Sequence, residues 1–573
     1  MRKTLSIVLS IIMVVSLFCF GVSAAEAEKI TSAEAFAAMK ADGNYVLDAD
    51  IVVAASYGAG ETPVPFTGTL DGNGHTVTVT APMFASLAGT VKNLTIEGEV
   101  TSDSSVGALA SIVSAEVIDD LTAYAVVENV TNKANVTMNV PDTAEAAVVR
   151  GVGGFVGSSE PLCGIMFIGC TNEGAVTLNV GAVASALSKT YAGGFAGACD
   201  TFLARECTNK GNITAETDSA KLAGETAISG FIGRAAFTAS MNYVNIEYCV
   251  NEGNCTGSRR AGGFLGYSGL ANNYTNYDMG NTPYRFYANI NKGDMTANEF
   301  AGGIAGYIYS TGGDANETFD IKFNLTSGTM TSKKWCSPFV GYSNSICNVM
   351  QYNIANVTLA HAEGASDWQF VFLGCSSADY RNDAEIHDNY IVGAQSDYQW
   401  LCYAESDSNE AKRIPIAYGV ENNYVKFVAA SDFSTGKLCH DINKAAGVNA
   451  FNQTLGSDEL PTPAKTSSYV VLDGSTYKNS TTPDFEVLEV LDITTEEVTT
   501  KAPTTAKQTT EKPVETSAPA ENTTASAGEA TTVAPAVTTA PAPAKNGCGG
   551  SVIGIGVALV AVLGAAYVSK KEF

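Results

Sequence analysis

Small and aromatic residues mark a periodic pattern through the middle of the chain. One five-residue element reads Gly153-Gly154-Phe155-Val156-Gly157 and Gly193-Gly194-Phe195-Ala196-Gly197. It returns as Ser229-Gly230-Phe231-Ile232-Gly233, Gly262-Gly263-Phe264-Leu265-Gly266 and Gly302-Gly303-Ile304-Ala305-Gly306, with weaker copies at 337–341 and 372–374. A second element alternates with it. Cys170-Thr171-Asn172-Glu173-Gly174-Ala175-Val176-Thr177 matches Cys207-Thr208-Asn209-Lys210-Gly211-Asn212-Ile213-Thr214, then 249–256 and 289–296, with outlying copies at 130–137, 324–331 and 351–358. Most successive copies lie about 35–42 residues apart, a solenoid period, in which a repeat buries its apolar face only against its neighbours. Short runs of β-prone residues between corners predict strands. Asn-x-Gly is expected to make the corner, because Asn and Gly tolerate the left-handed conformation.

The pattern predicts an all-β parallel β-helix. Phe155, Phe195, Phe231, Phe264 and Phe339 should form an inward column that Ile304 continues. Tyr267, three residues after Phe264, should project to the opposite face unless Gly266 bends the strand. Before the repeats, Thr31-Ser32-Ala33-Glu34 has the spacing of a capping box and predicts a short helix carrying Phe36 and Met39 over the first coil. Strands are expected at 45–53, 76–80 and 91–96.

The two ends follow other patterns. Arg2 and Lys3, an apolar run to about Val22, and small residues at 22–25 predict a signal peptide over 1–25. The uncharged run 551–568 would reach about 27 Å as a helix, near the hydrocarbon thickness. Lys570 and Lys571 follow it, so 549–569 is expected to be one transmembrane helix with a cytoplasmic tail at 570–573 and the ectodomain outside. Residues 493–546 are mostly Thr, Ala, Pro, Val and Glu, a composition too poor in large apolar side chains to fold, and they predict a disordered stalk. Between the ends stand an N-terminal cap with the first coils at 26–100, repetitive coils at 101–430 and a closing segment at 431–492. A net charge of −26, from 59 acidic and 33 basic residues, argues against nucleic acid as a partner.

Three stretches carry a resemblance. Residues 66–75, Phe-Thr-Gly-Thr-Leu-Asp-Gly-Asn-Gly-His, with Gly89-Thr90-Val91-Lys92-Asn93-Leu94-Thr95-Ile96, resemble the start of pectate-lyase-like right-handed β-helix surface proteins. The Gly-Gly-Phe-x-Gly and Cys-x-Asn-x-Gly coils are similar to their GLUG repeats, with Phe in place of the usual Leu. Residues 436–443 with 452–458 and Pro461 resemble a closing segment of surface proteins from anaerobic, mostly Gram-positive gut bacteria. The resemblance covers roughly 30–475. It implies a right-handed β-helix and surface attachment or display, and it brings no catalytic residues.

Candidate chemistry is sparse. Four histidines, none in HExxH spacing, give no support to zinc hydrolysis, and no GxSxG elbow or phosphate loop is present. No metal or cofactor is expected. Paired acids would have to stack on neighbouring coils, whereas Glu173 and Glu252 alternate with Lys210 and Lys292 as on a solvated corner. Of 13 cysteines, Cys170, Cys207 and Cys249 share one repeat position and are expected as a buried, reduced ladder. Tyr267, Tyr307 and Tyr342 each follow the last Gly of the first element, so they should stack along the solenoid. Tyr274, Tyr277, Tyr284 and Tyr287 are expected in a loop between two copies. Exposed aromatic rows hold sugar rings, whereas a buried row would be a structural ladder. The expectation is a membrane-anchored β-helix that binds a glycan or an extracellular protein. A polysaccharide lyase or hydrolase, marked by converging carboxylates, and a structural envelope protein are the alternatives.

Overall fold

The computed structural model describes residues 27–487 except 116–123, 143–147, 162, 182–188, 218–224, 237–243, 271–283, 311–318, 344–348, 364–370, 376–384, 399, 405–411 and 465–467. The expected signal peptide, stalk, transmembrane helix and tail, and Tyr274 and Tyr277 with them, lie outside the described residues. Among the described residues no helix is long and apolar enough to cross a membrane.

Three long sheets are built from the strands between Glu28 and Val428, with 12, 11 and 22 strands. One coil shows how they connect. Thr201–Arg205 belongs to the 12-stranded sheet, Thr208–Asn209, Ile213–Thr217 and Glu225–Ser229 to the 22-stranded sheet, and Ile232–Ala236 to the 11-stranded sheet. Each strand pairs in parallel with its counterpart one coil away, as Thr208↔Val250 and Ile232↔Leu265 do. The result is a stack of coils consistent with a parallel β-helix. Phe155, Phe195, Phe231, Phe264, Ile304 and Phe339 are fully buried. The first four rings stack with centroids 5.0, 4.6 and 5.1 Å apart, so the inward column forms as expected.

The corners are not where the sequence pattern puts them. Left-handed residues do recur once per coil, at Asn93, Asn129, Gly169, Glu206, Tyr248, Ala288, Phe323, Tyr352 and Asp388, with φ between 53° and 60°. They precede the Cys position, and the Asn-x-Gly residues are not left-handed. Gly174 is needed for a different reason: a Cβ there would lie 2.0 Å from the Ala134 carbonyl oxygen, and at Gly211 1.9 Å from that of Gly174. Close approach between coils therefore selects the glycine. Two of the predicted runs are broken. Residues 45–53 become Asn44–Leu47 and Ile51–Val53, and 91–96 is split by Asn93 between Thr90–Lys92 and Thr95–Ser102.

Two polar columns run inside the stack. After the seven left-handed corners from Gly169 onward stand Cys170, Cys207, Cys249, Asn289, Asn324, Asn353 and Asn389, all buried. The Cys207 backbone N–H donates to Cys249 Sγ at 3.4 Å, and those of Cys249 and Asn289 donate to the Asn289 and Asn324 Oδ1 atoms at 2.9 Å. Each coil thus supplies an acceptor for a corner N–H that has no strand partner. Cys170, Cys207 and Cys249 are free thiols in the structure, as the ladder expectation requires. The second column is Asn132, Asn172, Asn209, Asn251 and Asn291, fully buried and joined by four Nδ2–H···Oδ1 bonds of 2.8 Å. It also ties the two repeated elements together. A Cβ on Gly154 or Gly194 would lie 2.4 Å from the Oδ1 of Asn172 or Asn209, so the Gly-Gly of one element makes room for the Asn of the other.

The N-terminal helix is Ala33–Ala37, and its cap is Ser32, one residue later than the predicted box. Ser32 Oγ accepts from the Ala35 N–H at 3.2 Å, so Thr31 is not the capping residue. Phe36 and Met39 are buried as expected, with the Phe36 ring 5.6 Å from that of Phe84. The segment after 431 does not sit over the end of the stack. Its Phe433, Leu438, Ile442 and Phe451 pack along the flank against Tyr287, Phe323, Leu325, Ile354 and Tyr390. The outer column there changes to match: Thr131, Thr171 and Thr208 in the early coils give way to Val250, Ile290, Leu325, Ile354 and Tyr390. The 11-stranded sheet ends instead in the antiparallel hairpin Trp400–Ala404 and Lys412–Pro415.

Candidate functional site

At the Gly-Gly-Phe corner the chain passes from the 22-stranded to the 11-stranded sheet, and the faces turned away from the core converge. Nearest the corner only glycine fits: a Cβ on Gly197 would lie 2.3 Å from the Val152 backbone nitrogen. Further out the gap admits side chains, and two columns fill it. One, on the 22-stranded sheet, runs Gly151, Tyr191, Ala227, Arg260, Phe300, Trp335. The other, on the 11-stranded sheet, runs Ala198, Arg234, Tyr267, Tyr307, Tyr342. Small residues oppose large ones, Ala198 beside Tyr191 and Ala227 beside Arg234, so the two columns interdigitate into a satellite cluster separate from the main core.

Rings and guanidinium groups alternate along it. Arg234 Cζ lies 5.1 Å from the Tyr191 ring centroid and 5.9 Å from that of Tyr267. Arg260 Cζ lies 4.5 Å over Tyr267 and 4.3 Å over Tyr307. Beyond them Tyr307 stacks on Tyr342 at 4.7 Å and 15°, and Tyr342 on Trp335 at 4.8 Å and 17°. Phe300 lies 5.0 Å from Tyr342, with Lys334 Nζ 5.8 Å over it. Cation–π contacts of this geometry each stabilise by about 0.5–2 kcal/mol, more when desolvated.

Exposure divides the column. Tyr191, Arg260 and Tyr267 are buried, at 0, 6 and 7%. Arg234, Tyr307, Tyr342 and Trp335 remain partly exposed. Burial pushes the Tyr191 hydroxyl far above its ordinary value of 10, and the group donates to Glu225 Oε2 at 2.9 Å. Of the expected row, Tyr267, Tyr307 and Tyr342 do stack and do face away from Phe264. Leu265 and Phe264 both point inward, so the chain reverses face at Gly266 and simple alternation is not the cause. Tyr267 itself is packing. Tyr284 is also no surface residue: Tyr284–Tyr287 is a strand of the 12-stranded sheet, not a loop, and Tyr284 is fully buried because it alternates with Arg285 toward the core. Phe300, Trp335, Arg234, Arg260 and Lys334 were not anticipated. A seven-residue offset could have found all but Lys334, since 227/234, 260/267, 300/307 and 335/342 each pair across the corner.

Carboxylates on neighbouring coils are matched by cations. Glu173 pairs with Lys210 at 3.1 Å and Glu252 with Lys292 at 3.0 Å on one exposed column. On the 12-stranded sheet Glu247 lies 3.4 Å from Arg205 and 3.0 Å from Arg285, and Arg285 lies 3.8 Å from Asp320. Burial pushes the Asp320 carboxyl above its ordinary 3.8. This is an ion-paired ladder. Among the described residues no group of three or more His, Cys, Asp or Glu is placed to hold a metal ion.

Fold and site together define a class: a parallel stack of coils carrying an aromatic–cation column along an outer groove. No family model matches the sequence, and no match was found among curated proteins or solved structures.

Proposed function

We propose that this chain is a membrane-anchored cell-surface protein, a right-handed β-helix of the GLUG-repeat kind, that presents a glycan-binding face. The observation that carries the reading is the half-exposed stack of Tyr307, Tyr342 and Trp335, whose planes differ by 15° and 17° between neighbours. Tyr307 and Tyr342 turn their faces to each other and to Arg260 and Trp335, so the row presents a rigid ledge of apolar ring edges against which sugar rings can pack, and the adjoining cations and hydroxyls offer donors to their oxygens. Residues 549–569 anchor the protein and 493–546 hold the β-helix away from the membrane.

Two measurements test this. Deleting everything after Lys545 releases the protein into the medium; a truncated form that still fractionates with membranes would refute the anchor. Glycan-array binding by the intact chain falls on Trp335→Ala together with Tyr342→Ala, while circular dichroism is unchanged. Array binding that survives the double substitution rejects the aromatic face.

A further inference from the structure

The groove concentrates positive charge in a chain whose net charge is −26. Among the described residues four cations lie along it, Arg234, Arg259, Arg260 and Lys334, against two carboxylates, Glu225 and Glu299. Glu299 is shared by Arg259 and Lys334, and Glu225 accepts from Tyr191. Of the two arginines held between tyrosine rings, Arg234 is the more exposed. Its guanidinium lies against the Tyr191 and Tyr267 rings, it forms no ion pair among the described residues, and its Nε–H and Nη1–H are buried without a hydrogen-bond acceptor. Yet the side chain remains partly exposed. Those two N–H groups are enclosed by the rings, so a ligand meets the cation only through the part of the side chain that stays open. A guanidinium there attracts a carboxylate or sulfate by charge and can donate a charge-assisted hydrogen bond to it.

Along the same column, Arg234 stands two coils from Tyr307 and three from Tyr342. At about 4.8 Å per strand step, that is roughly 10–14 Å, more than one sugar ring spans. We infer that the ligand of this groove is an acidic oligosaccharide, its uronate carboxylate or sulfate ester held by Arg234 while neighbouring sugars pack against Tyr307, Tyr342 and Trp335. The inference rests on the proposed glycan face. Arg260, clamped between two rings, is a positioning residue that adds to the local potential. Long-range repulsion by the acidic surface is screened beyond about 8–10 Å at physiological ionic strength, so the groove's own cations govern contact.

The test uses the full chain in detergent micelles and titrates four probes: a uronate oligosaccharide, its carboxyl-reduced form, a sulfated dextran oligosaccharide and the same dextran unsulfated. An acidic probe binds at least about tenfold tighter than its neutral counterpart, and added salt weakens it, as one charge-assisted contact requires. The probe pair that shows the preference separates carboxylate from sulfate. Arg234→Gln removes the preference and leaves the weaker neutral binding in place. Equal binding of acidic and neutral probes to the unmodified protein overturns the inference without any variant, while leaving the aromatic face standing. A preference that survives Arg234→Gln in a protein of unchanged circular dichroism also overturns it. Binding of no probe, or binding indifferent to Trp335→Ala, removes the glycan face and the inference with it.

Discussion

Replacing Asn209 by Ala tests whether the buried amide column holds the coils together. Asn209 is fully buried. Its Nδ2 donates to Asn251 Oδ1 at 2.8 Å and to the Gly211 carbonyl at 3.0 Å, and its Oδ1 accepts from Asn172 Nδ2 at 2.8 Å. Truncation leaves an N–H of Asn172 without an acceptor and takes a donor from Asn251 and from Gly211, all inside the stack. A buried polar group left unsatisfied costs about 1–3 kcal/mol, so two or three of them should total on the order of 3–5 kcal/mol after partial relaxation. The internal control is Asn139→Ala. Asn179 Nδ2 donates to Asn139 Oδ1 at the same 2.8 Å, but that pair is exposed and water replaces the lost partner. Its cost should stay within about 0.5 kcal/mol. Chemical denaturation of residues 27–487 followed by circular dichroism reads both. Equal midpoint shifts for the two variants would refute the argument that burial, and not bond length, sets the strength of this column.

Three further outcomes follow from the packing. Phe264→Ala should cost about 3–5 kcal/mol, and Tyr267→Ala should also destabilise clearly, whereas Tyr342→Ala should cost less because its ring is partly exposed; thermal melts rank the three, and a neutral Tyr267→Ala would contradict its burial. Burial pushes the Cys170 and Cys207 thiols well above their ordinary 9.0, so a thiol reagent at pH 8 should label them only after unfolding, and rapid labelling of the native protein would show that the ladder is open. Burial pushes the Glu299 carboxyl up, but its bonds to Arg259 and Lys334 more than reverse this and leave it below its ordinary 4.5. A depressed native value means that its stabilisation is present above about pH 4.5 and is lost as pH falls through the native value. Glu299→Gln should therefore flatten the acid limb of the stability profile, and an unchanged limb would refute the assignment.

The sequence alone determined the repeat and its period, because each coil must match the next in register and so writes the same residues at the same spacing. It likewise marked the Phe column, the Cys position, the Glu–Lys alternation of the exposed column and the stacking of Tyr267, Tyr307 and Tyr342. All of these lie within one repeated element, where local spacing and coil-to-coil equivalence coincide. Tertiary structure decided what depends on two elements meeting. The left-handed corner falls on residues as different as Glu206, Tyr248 and Phe323, because the strands on either side and the side-chain acceptor of the next coil impose it, and no local preference announces it. Gly174 and Gly194 are required by a neighbouring backbone and by the amide of Asn209, contacts invisible along one strand. Burial divided the tyrosine row, since Tyr267 is enclosed by Arg260 and the converging sheets while Tyr307 and Tyr342 are not. Arg234 became a candidate ligand-binding cation only when folding placed it against two tyrosines from the coils on either side and left part of its side chain open.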